Sequence, residues 1–192
     1  MIPLIKLTLR NPLIAWQQLR RLPLTTGDAW SLVLATAALS AVLSWLGAQL
    51  LPGSAEGAGV LAALAREPMA MAGVQVASAT LAAFLLAEVG RIFGGTGKFG
   101  DALLAIGWVE AVLITLQALQ LVLTVVLPPL GALVGLATLL IAAYLIVAMT
   151  MAVHGFRNPF FVVLGIFGTV MLTSLLMSML AATLGLIPGV PT

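Results

Sequence analysis

Cysteine is absent from the 192 residues, and charged side chains make up only 7% of them. The lack of cysteine excludes disulfide frameworks, thiolate metal sites and cysteine nucleophiles. A soluble domain carries about 25% charged residues, which eight basic and six acidic side chains do not approach on a chain of this length. Because 62% of the residues are hydrophobic, we predict that most of the surface faces lipid.

Histidine is nearly absent too, since His154 is the only one. One histidine cannot supply a histidine pair for zinc, and no serine and carboxylate lie near it in sequence to complete a catalytic triad. No basic patch with interleaved aromatic residues is present, which argues against nucleic-acid binding. We therefore expect a non-enzymatic protein with no cofactor, no metal and no nucleic-acid partner.

Long stretches without charge alternate with short segments that carry charges, glycine or proline. A bilayer core requires about 20 apolar residues in a helix, and five stretches meet this length. They comprise residues 30–51, 69–87, 102–127, 130–153 and 159–187. Pro128 and Pro129 divide the longest stretch because proline interrupts a helix. The predicted fold class is an all-α integral membrane protein, with a bundle of about five transmembrane helices in residues 30–192.

Residues 1–29 form a separate segment that is predicted to contain a short interfacial helix. Within residues 11–22, one face at ~100° per residue carries Pro12, Ala15, Trp16, Leu19 and Leu22. Tryptophan and arginine at this level are typical of the headgroup region, although Leu13 and Ile14 fall on the opposite side. A frayed cytoplasmic tail is the alternative, and residues 1–10 have no assignment.

The distribution of Lys and Arg predicts the orientation, because basic residues stay on the cytoplasmic side of a membrane. Seven lie on one side of the predicted bundle: Lys6, Arg10, Arg20, Arg21, Arg91, Lys98 and Arg157. Only Arg66 lies on the other side. We therefore expect a cytoplasmic N-terminus and a C-terminus outside, in a membrane that we expect to be a bacterial inner membrane.

Polar side chains inside the predicted spans are the candidate functional residues. Six could meet between the second and third spans and are called the polar stripe: Gln75, Ser78, Glu110, Gln117, Gln120 and Thr124. Polar and charged groups are costly in lipid, so the stripe should face protein or water. Hydrogen bonding between helices is one interpretation, and a solute or proton path around Glu110 is the other.

Three residues near the predicted cytoplasmic ends of the spans have local interpretations. Glu88 and Arg91 are three residues apart, a spacing that favours an ion pair on a helix, with a functional carboxylate as the alternative. His154 follows the fourth span, where an imidazole can meet the negative end of the helix. We favour a structural role for it.

Two glycine pairs are candidates for close helix packing. Gly131 and Gly135 have the four-residue spacing of the membrane packing motif, and Gly165 and Gly168 form a similar pair. Both pairs are predicted to let helix backbones approach closely.

Residues 90–103 read GRIFGGTGKFGDAL, a glycine-rich turn followed by an aromatic residue and Ala-Leu at the start of the third span. A phosphate-binding loop needs a glycine six residues before the lysine and Ser or Thr directly after it. Ile92 and Phe99 occupy those positions, so this is not such a loop. The segment is predicted to be a flexible turn between two spans.

The turn residues Gly94, Gly95, Gly97 and Phe99 resemble the central signature of the Yip domain family, in its bacterial-type form. The resemblance implies a five-span membrane protein of the type named for interaction with Ypt/Rab GTPases. The five-span count, the cytoplasmic N-terminus and the Asn11–Pro12 pair are also similar to that family.

We expect the protein to organise partner proteins or the bilayer itself, as a homo-oligomer or with other membrane proteins. The alternative is a small channel or transporter that uses the polar stripe around Glu110, and an intramembrane enzyme ranks third.

Single cysteines test the predicted orientation, because the chain has none of its own. Cysteine introduced at Ser54 or at Thr192 should react with an impermeant thiol reagent added outside intact cells, and cysteine at Thr96 should not. Permeabilised cells, in which all three should react, are the control. Labelling of position 96 in intact cells would reverse the orientation.

Overall fold

The computed structural model describes residues 2–51 and 66–183, which form seven helices in those two segments. They are α1 Ile2–Arg10, α2 Pro12–Arg20, α3 Thr26–Leu50, α4 Pro68–Ile92, α5 Phe99–Val126, α6 Pro128–His154 and α7 Pro159–Thr183. No strand occurs in either segment, so the predicted all-α class is confirmed. The first connection, the end of the fifth predicted span after residue 183, and the C-terminus lie outside the described residues.

Prolines and a capping box define where the helices begin. Pro12, Pro68 and Pro128 each occupy the first turn of a helix, where the missing N–H is not needed. At the start of α3 the Asp28 N–H donates to Thr25 Oγ1 (3.2 Å), and the Thr25 N–H donates to Asp28 Oδ2 (2.7 Å). These contacts satisfy backbone donors that the first helical turn leaves free.

Four helices, α3 to α6, are long and apolar enough to cross a membrane by length and composition. With 25 to 28 residues each, they are about 38–42 Å long at ~1.5 Å per residue, compared with a hydrocarbon core of ~30 Å. In α7 the described apolar segment is Pro159–Met171, which is shorter than these four helices. That α7 also crosses the membrane stays a prediction.

Helix α5 lies at the centre of the bundle and packs most extensively against α3 and α6. The core cluster includes Ala29 and Val33 from α3, Ala83 and Ala87 from α4, Ala102, Leu103, Ala105, Trp108 and Val112 from α5, and Leu145, Met149 and Val153 from α6. These residues come from the first half of α3 and α5 and the second half of α4 and α6. The core therefore occupies one half of the bundle, and we call this half the closed end.

Helix α2 is present where the sequence predicts it, and Asn11 caps it by accepting the Ile14 N–H at 3.2 Å. Its predicted apolar face packs against the bundle, because Trp16 is 5% and Leu19 3% exposed. Leu22 is 49% exposed, so its predicted place on that face is wrong, as the helix ends at Arg20. The buried indole is thus covered by protein, and Leu13 and Ile14 form part of the exposed side.

Helix α1 covers the segment that has no assignment from sequence. Residues 5–10 alternate apolar and polar side chains, a pattern typical of a strand, yet the segment is helical because packing decides the outcome. Thr8 is fully buried, and its Oγ1 accepts a hydrogen bond from Trp108 Nε1 at 2.9 Å. The same hydroxyl donates to the Leu4 carbonyl at 2.8 Å. This contact fixes α1 against the centre of the bundle.

Replacing Thr8 with valine tests this contact. The substitution keeps the shape but leaves the buried Trp108 N–H without its acceptor, which costs about 1–3 kcal/mol. Thr115→Val is the matched control, since Thr115 is exposed and donates only to the Ala111 carbonyl of its own helix. The free energy of unfolding in mixed detergent micelles should fall for Thr8→Val and change by less than ~0.5 kcal/mol for the control. Equal losses in the two variants would contradict the proposed anchoring.

Candidate functional site

The six residues of the polar stripe do not form one line through the bundle. The structure distributes them over three surroundings. Gln75 and Gln117 enter a hydrogen-bond network with α3, and Gln120 and Thr124 pack against α6. Ser78 and Glu110, together with Gln75, line a cavity beside α7.

The network joins three helices through side chains that the sequence analysis missed. Gln75 Nε2 of α4 donates to Ser40 Oγ of α3 at 3.0 Å, and Ser40 Oγ donates to Gln117 Oε1 of α5 at 3.1 Å. Gln117 Nε2 donates in turn to Ser44 Oγ at 3.4 Å. Ser40 and Ser44 are four residues apart and share a helix face, which is the signal that could have identified them.

Gln120 and Thr124 lie where α5 and α6 approach most closely. A Cβ atom at Gly131 would lie 2.2 Å from Thr124 Oγ1, and one at Gly135 would lie 2.6 Å from Gln120 Nε2. The predicted close approach of helix backbones is therefore confirmed at Gly131, where Thr124 Cα and N would lie 2.6 and 2.7 Å from the Cβ atom, whereas Gly135 faces the side chain of Gln120. Thr124 Oγ1 donates to the Gln120 carbonyl at 2.8 Å, so its hydroxyl is satisfied within its own helix.

The second glycine pair does not pack in this way. A Cβ atom at Gly165 would meet only the Phe93 ring, at 3.9 Å, and one at Gly168 would meet no atom within 4 Å. The prediction of close approach at these positions is wrong, because α7 lies against a cavity rather than against another helix backbone.

That cavity has a volume of 910 Å³ and is lined mainly by apolar side chains of α4, α5 and α7. Gln75, Ser78 and Glu110 are among its few polar lining residues. Glu110 is half-buried, and within the described part of the chain no hydrogen bond or ion pair to its carboxyl group is found. The polar stripe thus places one carboxyl group in an apolar space that is large enough for a ligand.

His154, the last residue of α6, is 3% exposed and joins α6 to α4 and to the glycine-rich turn. The Gly97 N–H donates to His154 Nδ1 at 3.2 Å, and Nε2 lies 2.9 Å from the Leu86 carbonyl oxygen. Because Nδ1 accepts, Nε2 must carry the proton and donate, which is one tautomer of the neutral ring. The structural role expected for His154 agrees with this geometry, but its partners belong to α4 and the turn rather than to its own helix end.

Glycine is required around this ring, and we call the arrangement the His154 clamp. A Cβ atom would lie 2.2 Å from the ring at Gly90 and 2.3 Å at Gly95, and one at Gly97 would lie 2.4 Å from Val153 Cγ1. Gly94 has a φ of +84°, a left-handed conformation that glycine adopts without strain. The turn that the sequence analysis singled out therefore surrounds a buried imidazole.

Phe99, the fourth residue of the turn signature, lies outside the clamp. Its ring packs against Trp30 of α3, with a centroid separation of 6.4 Å and tilted planes. It therefore connects the start of α5 to the start of α3.

Two ion pairs lie at the closed end. Glu88 and Arg91 pair within α4, with both side chains substantially exposed. Arg20 pairs with Asp101 and links α2 to the first turn of α5; their separation of 81 residues hides this contact from sequence reasoning. Among the described residues, no group of three or more His, Asp or Glu side chains could hold a metal ion.

Comparison with known proteins gives one match. The family model described as the Yip1 domain matches residues 6–180, from α1 into α7, and thus includes the clamp, the network and the cavity. No curated protein and no solved structure matches the chain.

Replacing glycine with alanine at two positions of α4, one inside the clamp and one outside it, tests the clamp. Gly90→Ala should destabilise the protein, because the new Cβ would lie 2.2 Å from His154 Cε1 and overpacking costs about 1–3 kcal/mol. Gly73→Ala should stabilise it by about 0.5–1 kcal/mol, since nothing lies within 4 Å of a Cβ at Gly73. Thermal unfolding in detergent measures both.

The double variant Gly90→Ala/His154→Ala separates the clash from any general intolerance of alanine at position 90. Without the ring the alanine methyl group has space, so the effect of Gly90→Ala should be much smaller in that background. If Gly90→Ala lowers thermal stability equally in both backgrounds, the imidazole is not the group with which the new methyl group clashes.

Proposed function

Since the chain belongs to the Yip1 domain family and is a membrane protein with several membrane-length helices, we propose that it is non-enzymatic and organises partner proteins or the bilayer, as an oligomer. The observation that carries this proposal is the use of polar groups as contacts between helices. Ser40 of α3 accepts a hydrogen bond from Gln75 of α4 and donates one to Gln117 of α5.

A transport path requires polar groups that face a common water-filled space from one side of the membrane to the other. In this chain the network turns such groups toward each other, and Gln120 and Thr124 are packed against glycines of α6. The closed end is filled by large buried side chains, among them Leu103, Leu145 and Met149. Interhelical hydrogen bonds average ~0.6 kcal/mol in membranes, so the network favours one arrangement of helices more than it adds stability.

Helix α6 supports the expectation of an assembly. Beyond its contacts with α5 it presents exposed large apolar side chains at Leu133, Leu136, Leu140 and Tyr144. Their spacing of three to four residues puts them on one side of the helix. Such a ridge can pack against a second copy or another membrane protein. We place the closed end in the cytoplasm, because the basic residues assigned to that side include those of α1, α2 and the turn.

The second candidate function is a small channel or transporter, and Glu110 is the observation that favours it. A carboxyl group that has no partner among the described residues and lines the same cavity as Gln75 and Ser78 can bind a proton or a cation. Unlike the organising role, this function predicts that Glu110→Gln abolishes ion flux, because the amide cannot exchange a proton.

Two variants of Glu110 distinguish the functions. Under the proposed function, vesicles that contain the parent should show no ion flux above empty vesicles, and Glu110→Gln should assemble as the parent does. Glu110→Leu removes the hydrogen-bonding capacity as well. If the Glu110 carboxyl group makes a contact between helices of the assembly, Glu110→Leu should weaken the oligomer, as measured by native gel or mass photometry. Flux by the parent that Glu110→Gln abolishes, with assembly intact, would establish transport instead.

Gln117→Leu is the companion variant for the network. It removes the bonds to Ser40 and Ser44 and should lower stability by roughly 1 kcal/mol, from two bonds of ~0.6 kcal/mol each. If Gln117→Leu has the same stability and the same oligomer size as the parent, the network does not organise the helices.

A further inference from the structure

The 910 Å³ cavity is open on one side to the surroundings of the bundle. Phe93 and Phe161, two of its lining residues, are each 66% exposed. Helix α7 forms one wall and has only limited contacts with α4 and α6. The volume is near the upper end of the ~300–1,000 Å³ range of small-molecule pockets. In a membrane an apolar groove of this kind is accessible to lipid.

The charge at the rim is positive. Arg157 lines the cavity where α6 ends and α7 begins, and its side chain is exposed. Among the described residues no carboxylate pairs with this guanidinium. Arginine matches the geometry of a phosphate with two parallel N–H donors. Arg157 is also on the side that we predict to be cytoplasmic from seven of the eight basic residues, and the cytoplasmic leaflet is anionic.

Charge and shape favour a phospholipid over a second protein helix as the occupant. Arg157 supplies a cation that matches a phosphate at the opening. Flexible acyl chains can fill an apolar space of irregular shape, whereas a rigid helix cannot.

We propose that this cavity binds one anionic diacyl phospholipid, with its phosphate at Arg157 and its acyl chains between α7 and the wall formed by α4 and α5. Glu110 lies 11 residues along α5 from Phe99, or about 16 Å at ~1.5 Å per residue, and α5 begins at the same end as Arg157. The negative headgroup and the Glu110 carboxyl group therefore lie at different depths. Binding of this lipid is independent of the proposed organising role, because it requires neither a partner nor an oligomer.

A pair of glycines in α7 provides a matched test. Gly165 lines the cavity and has space for a side chain, whereas Gly168 does not line it and faces open space. Gly165→Phe should fill the groove, and Gly168→Phe makes the same change on the same helix outside it. The full chain is purified in mild detergent from vesicles of equal parts phosphatidylglycerol and phosphatidylcholine. Native mass spectrometry then counts the bound lipid.

The parent and Gly168→Phe should each retain about one phosphatidylglycerol per chain, and Gly165→Phe should lose it. Retention by Gly165→Phe, or equal loss by both variants, would overturn the site. A parent that carries no lipid, or that carries a second protein in its place, would do so as well.

Arg157→Gln tests the assignment of the headgroup. It should still carry a lipid but lose about fivefold in its preference for phosphatidylglycerol over phosphatidylcholine, the factor expected for one basic residue near an anionic surface. An unchanged preference would overturn that assignment. Oligomer size and ion flux are measured on the same preparations. Loss of lipid with unchanged assembly would therefore separate a failure of the site from a failure of the proposed function.

Discussion

The buried imidazole of His154 is the contact on which the arrangement of α4, α5 and α6 depends. Its two nitrogens bond a turn N–H and a carbonyl of α4, and the ring occupies the space that side chains at Gly90, Gly95 and Gly97 would need. The ring therefore ties the end of α6 to α4 and to the turn that precedes α5. Val153, the neighbour of His154 in sequence, belongs to the same core cluster as Leu103.

The two ends of the bundle differ in the contacts that hold the helices together. Near His154 the helices are held by the core, by the contact of α1 with Trp108 and by the Arg20–Asp101 ion pair. Toward the other end the contacts are the polar network and the glycine packing of α6, and many large apolar side chains of α5 and α6 are exposed. In lipid such exposure has no hydrophobic cost, so this end is compatible with contact to lipid.

The sequence was most informative where a single segment decides the outcome. Charges and prolines located the long helices, and the spacing of Gly131 and Gly135 identified a close approach. Contacts across the bundle were not accessible in this way. Thr8 and Trp108 are 100 residues apart and Gln75 and Ser40 are 35 apart, and whether they meet depends on how each helix is rotated about its axis. Glu110, Gln117 and Thr124 recur every seven residues and so share one side of α5 in projection. That spacing could not settle the rotation of α5, and the three residues have different neighbours.

These findings bear on what the resemblance of the turn to a family signature can mean. Each turn glycine has a reason within this chain: Gly95 and Gly97 make room for His154 and Val153, and Gly94 adopts a left-handed backbone. These glycines are accounted for by folding, so they identify the architecture rather than a binding site, while the turn side chains Thr96 and Lys98 are exposed. Glu110 and Arg157 have no hydrogen-bond or ion-pair partner among the described residues, and both line the same apolar cavity. The chemistry of that cavity is thus where the function of this chain is most open to experiment.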